Sequence, residues 1–194
     1  MISLRTLGTL LLTTCLALTA CSEAPKPAFL STDVTGAPIG GPFALTDHHG
    51  KQRRLEEFKG KVVVMFFGYT HCPDVCPTTM SELKAAMAQL GDKAKQVQVL
   101  FVTVDPERDT QALLSQYVPA FHPDFLGLRG STAEIRAVTD RFRIVFQRNG
   151  TDATNYTVDH SAGSYILDRE GKLRLFVSYG AGAKVFSHDI GLLL

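Results

Sequence analysis

Val62 to Phe67 reads VVVMFF, an unbroken apolar run rich in branched and aromatic side chains, the pattern of a strand buried on both faces of a sheet. Val97 to Val104 has the same character. Between them the spacing turns helical: Met80, Leu83, Met87 and Leu90 recur at three and four residues, predicting a helix over 77–90 that Gly91 stops. A second helix is expected over 110–121, a short apolar segment at 125–128, and a third helix over 131–142 opened by the capping box Ser131-x-x-Glu134. Residues 144–146, 164–167 and 173–177 supply further strands, the last two joined by the turn Asp168-Arg169-Glu170-Gly171. Residues 148–159 read as irregular and polar. Upstream, Phe43-Ala-Leu-Thr and the stretch ending at Leu55 flank Asp47-His48-His49-Gly50, a hairpin whose two tip histidines are expected to be solvated.

Strand, helix, strand, helix and then an antiparallel pair is the order of an α/β fold of thioredoxin type: a central mixed sheet flanked by helices, here with an N-terminal β-hairpin. Residues 43–194 form that domain. Residues 22–42, SEAPKPAFLSTDVTGAPIGGP, show no apolar period and read as a flexible tether. The first twenty residues hold one cation, no acid and an apolar run from Leu7 to Leu18, the layout of an export signal. That run ends in Leu18-Thr19-Ala20-Cys21, which resembles the lipobox of bacterial lipoproteins. The expectation is a signal peptide over 1–20, a lipid on Cys21, and a tether over 21–42 holding the domain at the periplasmic face of a bacterial membrane. Ser22 after the cysteine favours the outer membrane over the inner. A chain of 194 residues has no room for a second full domain after the leader. Without Arg5 it carries 19 basic and 19 acidic side chains with no dense basic run, so nothing in the charge points to a nucleic-acid partner.

The chain has four cysteines; Cys15 leaves with the leader and Cys21 takes the lipid, so Cys72 and Cys76 remain for chemistry. Cys72-Pro-Asp-Val-Cys76-Pro77 sits where a buried strand hands over to a helix, with Pro77 suited to the first helical position. Unpaired N–H groups and the helix dipole there are expected to ease ionisation of one or both thiols. Three intervening residues, not the two of the thioredoxin exchange motif, let two sulfurs face a common point. Two thiolates make a soft site suited to Cu(I), with Zn(II) as competitor and a neutral imidazole as the natural third ligand. His160 is the better placed histidine, just before the strand 164–167, and the chain has no proline after Pro123 to supply the cis-proline of thioredoxin-type oxidoreductases. His71 is assigned a supporting role beside the site, and His122 and His188 are expected at the surface. No threonine precedes Cys72 in the frame a peroxiredoxin requires.

GYTHCPDVCPTTM at 68–80, TVDPERDT at 103–110, YVPAFHPDFLGLRGS at 117–131 and YTVDHS at 156–161 together resemble the four signature blocks of the Sco/SenC copper-protein family, in the right order. The resemblance implies a thioredoxin fold, copper held as Cu(I) or Cu(II) by Cys72, Cys76 and His160, and a part in building the copper centre of cytochrome c oxidase subunit II or another copper oxidase subunit. Other copper chaperones are further implied partners. It also places Asp105 near the metal loop as a tuning residue, with Arg108 and Asp109 expected as an ion pair and helix cap. The C-terminal segment AGAKVFSHDIGLLL is less typical of the family. Two roles stay open: a metallochaperone that is not an enzyme, and a thiol–disulfide oxidoreductase that reduces the copper-ligand cysteines of the oxidase through the pair Cys72 and Cys76.

Overall fold

The two apolar runs form neighbouring parallel strands, Val62–Gly68 and Val97–Thr103, buried along their whole length and paired from Val62 with Val97 to Gly68 with Thr103. The computed structural model describes residues 28–150, 152 and 155–194, so the leader and Cys21 lie outside the described residues. In chain order the strands are β1 (Thr32–Asp33), β2 (Ala44–Asp47), β3 (Gln52–Arg54), β4 (Val62–Gly68), β5 (Val97–Thr103), β6 (Leu126–Arg129), β7 (Phe146–Asn149), β8 (Thr157–His160), β9 (Ser164–Leu167) and β10 (Leu173–Val177). The helices are α1 (Val75–Leu90), α2 (Gln111–Tyr117), α3 (Thr132–Arg141) and α4 (Ala183–Leu193). Eight strands make one mixed sheet in the order β1-β10-β9-β4-β5-β6-β2-β3, while β7 and β8 form a separate hairpin. Phe66, Phe67 and Phe101 are wholly buried in the central strands, each contributing about 1.5–3 kcal/mol of burial. Helix α1 packs on α4, α2 on β6 and α3 on β2.

Several local expectations are corrected. Helix α1 begins at Val75 with Asp74 as N-cap, so Pro77 occupies the third helical position and not the first. The third N–H of a helix lacks an intrahelical partner as the first does, and proline fits there equally. Of the strand expected over 144–146, residues 144 and 145 are not strand: Arg143 takes φ 55° and the Ile144 N–H returns to the Thr139 carbonyl, closing α3 in a C-terminal turn, so β7 starts only at Phe146. The segment read as irregular, 148–159, carries the end of β7 and most of β8, which form a hairpin with Phe146 opposite His160 and Asn149 opposite Thr157.

The flexible tether expected over 21–42 does not extend to its stated end. Thr32 and Asp33 add β1 to the edge of the sheet beside β10, and the Val34 N–H donates to the Arg174 carbonyl. Leu30 N–H, Ser31 N–H and the Ser31 hydroxyl all donate to the Asp189 carboxylate on α4. An edge strand docks through its backbone, leaving no apolar period to read. His48 is likewise buried, not solvated: the turn folds onto β6, where the Gly127 N–H donates to His48 Nδ1 at 2.9 Å. His49 beside it is exposed.

Candidate metal centre

The loop between β4 and α1 carries Cys72, the first turn of α1 carries Cys76, and the close of β8 carries His160. Cys76 is wholly buried in the first turn of α1, whereas Cys72, on the loop, is half-buried. The Cys76 N–H points to Cys72 Sγ at 3.5 Å, and Cys76 Sγ stands 3.5 Å from His160 Nε2. One donor atom from each of Cys72, Cys76 and His160 lies within 4.8 Å of the other two. Two donors bound to one ion at about 2.0–2.3 Å are at most about 4.6 Å apart, so small side-chain rotations bring all three within reach of a single ion. His160 Nδ1 lies 3.0 Å from the Ser161 carbonyl, a geometry in which Nδ1 carries the proton and Nε2 keeps its lone pair toward the sulfurs. Two thiols and an imidazole are the donor set of a soft or borderline ion, and the residues fit copper.

Burial sets the protonation of the site. It lowers the His160 pKa against the opposing pull of the Ser161 carbonyl and Asp159, keeping the ring neutral. It pushes the Cys76 thiol well up, with the nearby Cys72 and Asp109 adding to the shift against one hydrogen bond from the Tyr69 backbone. At Cys76, in the first turn of α1, burial therefore works against the expected ease of thiolate formation.

The surrounding residues fix these three side chains from several directions. Tyr69, buried, meets the His160 ring edge-on with centroids 5.9 Å apart, and Phe66 meets it at 6.3 Å. A Cβ on Gly68 would lie 2.8 Å from Cys76 Sγ, so only glycine at the end of β4 lets the thiol approach the strand. Asp109 accepts from the Thr70 N–H, the Thr70 hydroxyl and the Thr103 hydroxyl, which fastens the start of the cysteine loop to the end of β5. Burial raises the Asp109 pKa against those same bonds. Tyr117 packs its ring on Phe101, with a buried hydroxyl that has no hydrogen-bond partner among the described residues. Gly68, Tyr69, Asp109 and Tyr117 were not singled out as site residues from sequence, although all four lie in the signature blocks.

Asp105 is buried, accepting from Arg108 Nε and from the Tyr156 hydroxyl at 2.7 Å. The expected Arg108–Asp109 pair is thus replaced by Arg108–Asp105, and Thr110, not Asp109, caps α2. His71 is exposed, 3.1 Å from the Thr70 hydroxyl and 4.0 Å from Asp109. His122 stacks half-buried on Phe125, and His188, exposed, pairs with Asp189. Beside the metal group, Tyr69, Pro73, Asp74 and Asp159 line a shallow hollow of about 400 Å³.

Residues 31–193 match the family model described as SCO1/SenC. A SCO2-like protein of Rickettsia felis is 40% identical over 136 residues, 69% of this chain and 66% of that protein. The mitochondrial SCO2 homologue of Bos taurus is 39% identical over 173 residues, 87% of this chain and 64% of that protein, so the matched region spans about two thirds of these relatives. Among solved structures, Bradyrhizobium japonicum ScoI with copper bound superposes with a TM-score of 0.75 at 40% identity, covering 80% of this chain and 99% of that one. Apo Sco1 of Thermus thermophilus gives a TM-score of 0.77 at 40% identity, covering 86% and 97%. With its thioredoxin-like mixed sheet and the signature blocks in register, the chain belongs to the SCO1/SenC family.

Proposed function

We propose that this protein binds one copper ion between Cys72 Sγ, Cys76 Sγ and His160 Nε2 and passes it to a copper-accepting subunit of cytochrome c oxidase, subunit II or its equivalent in another copper oxidase. The observation that carries the reading is the convergence of two thiols and one neutral imidazole at the end of the central strands, in a chain 40% identical to a ScoI solved with copper. The ion is cargo. Cys76 is the buried side of the site, and Cys72 and His160, both half-buried, border the side open to an acceptor. Holding copper requires the sulfurs to give up their protons, and release returns them, so loading and delivery are proton-coupled. The hollow beside Cys72, bordered by Asp74 and Asp159, is where an acceptor's own ligands reach the ion in a stepwise exchange.

The reductase alternative uses the same sulfurs to cycle between dithiol and disulfide. It needs a thiolate to attack, as copper binding does, and Cys72, the more exposed of the two sulfurs, is the one placed to attack a partner's disulfide. Delivery also requires the right compartment. The Leu18-Thr19-Ala20-Cys21 sequence supports export and a lipid on Cys21 that holds the domain at the periplasmic face of a membrane, with Ser22 favouring the outer one.

A copper titration of the purified chain tests the proposal. The reduced protein takes up one equivalent of Cu(I), and clean oxidation of Cys72 with Cys76 abolishes uptake. Unchanged stoichiometry after oxidation sinks it.

A further inference from the structure

We propose that Arg108 is the positioning residue that sets His160 over the two cysteines, acting through Tyr156 with Asp105 as its counter-charge. The inference rests on the reading of His160 as a copper ligand and concerns what places it there. The β7–β8 hairpin shares no ladder with the eight-stranded sheet, so side chains must fix its position on the body. Val158 and Tyr156 are its buried anchors. The Arg108 guanidinium lies 3.4 Å from the centre of the Tyr156 ring, while Nη1 donates to the Tyr156 carbonyl at 2.8 Å. Nε of the same side chain donates to Asp105 Oδ2, and the Tyr156 hydroxyl returns to Asp105 Oδ1 at 2.7 Å. Arginine, aspartate and tyrosine thus close a ring of contacts, with the ion pair almost fully buried.

Arg108 also reaches Tyr69, its guanidinium 5.8 Å from that ring, and Tyr69 is the side chain that meets His160 edge-on. The loop after β5 therefore holds both halves of the site: Asp109 ties down the cysteine loop through Thr70, and Arg108 ties down the hairpin four residues before His160. Lysine cannot replace Arg108, because one ammonium cannot bond Asp105 and the Tyr156 carbonyl in two directions while lying flat on a ring.

The test uses the full chain without metal, read by hydrogen exchange. Arg108→Met accelerates exchange in residues 146–149 and 157–161 by about tenfold or more and leaves β4 and β5 unchanged. Tyr156→Phe, which removes only the hydroxyl, gives a smaller acceleration in the same segment and decides the matter should Arg108→Met fail to fold. Arg108→Lys restores neither protection nor affinity. In Cu(I) competition titrations Arg108→Met weakens binding, yet adds nothing to His160→Ala when the two are combined, because it works through His160. Unchanged hairpin exchange in the folded variants, or losses of affinity that add in full in the double variant, overturn the proposal. If His160→Ala keeps full affinity while hairpin exchange still responds to Arg108→Met, the ligand reading fails and the positioning role stands.

Discussion

Cys76 Sγ and His160 Nε2 lie 3.5 Å apart although 84 residues separate them in the chain. One belongs to the first turn of α1, packed in the core; the other ends a hairpin that shares no ladder with the eight-stranded sheet. An ion shared between them would cross-link the buried start of α1 to the β7–β8 hairpin.

That cross-link predicts a metal-dependent gain in stability. A ligand that binds the folded chain at a concentration of 100 times its Kd adds about 2.7 kcal/mol. Thermal unfolding of the reduced protein with excess Cu(I) should rise accordingly, with hairpin amides slowed most in hydrogen exchange. The disulfide form should show no copper-dependent shift, and an equal shift in both forms would contradict the three-ligand site.

Gly68→Ala should damage the site without touching a ligand. The new Cβ would sit 2.8 Å from Cys76 Sγ and about as close to the Phe66 and Phe101 rings, at 3.0 and 3.1 Å. Overpacking of this kind costs about 1–3 kcal/mol, and here the atom displaced is a copper donor. Urea unfolding should show the loss of stability and Cu(I) titration a weaker site. Full affinity in the variant would mean that Cys76 moves freely.

The contrast between Cys76 and His48 shows what the sequence can and cannot disclose. The buried central strands, the helix after the cysteines and the capping box at Ser131 follow from side-chain periodicity and local hydrogen bonding, and each is present within a residue or two. The grouping of Cys72, Cys76 and His160 was legible because the residues just before β9, antiparallel to β4, come to the sheet end where β4 hands over to α1. What escaped depends on long-range burial. The fold of the β2–β3 turn onto Gly127 buries His48, enclosure raises the Cys76 thiol, and Arg108 chooses Asp105 because Tyr156 arrives from a distant hairpin. β1 was hidden for another reason, since an edge strand two residues long is joined by backbone bonds that no side-chain pattern encodes.

Asp189 gives a pH-dependent hold on that N-terminal segment. Burial alone would raise its carboxyl, but hydrogen bonds from the Leu30 and Ser31 N–H groups, the Ser31 hydroxyl and His188 outweigh it and hold the pKa below the ordinary 3.8. A depressed folded pKa stabilises above the unfolded value and is lost as pH falls through the folded one. Asp189→Asn should therefore lower stability at neutral pH and flatten its fall below about pH 4 relative to the parent chain. Denaturant melts across that range check the point, and parallel acid limbs in the two proteins would refute it.

The lipid on Cys21 is tested directly by mass spectrometry of the mature N-terminus purified from membranes. The expected species begins at Cys21 and carries the mass of its acyl chains, and Cys21→Ser should leave the protein unprocessed. Recovery of unmodified Cys21 or of the intact leader would remove the anchor from the proposal.

His160→Ala separates delivery from reduction, because an imidazole ligand matters for holding metal and is dispensable for exchange between two thiols. The variant should keep a dithiol that oxidises and re-reduces, yet lose about tenfold or more in Cu(I) affinity, or about 1.4 kcal/mol at the least. In cells under copper limitation its oxidase activity should fall as it does for Cys72→Ala or Cys76→Ala, and added copper should restore part of it. Copper binding and exchange alike use thiolate sulfur, so the contrast between the two roles rests on the imidazole. Normal oxidase assembly by His160→Ala, with failure of either cysteine variant, would transfer the function from copper delivery to thiol reduction.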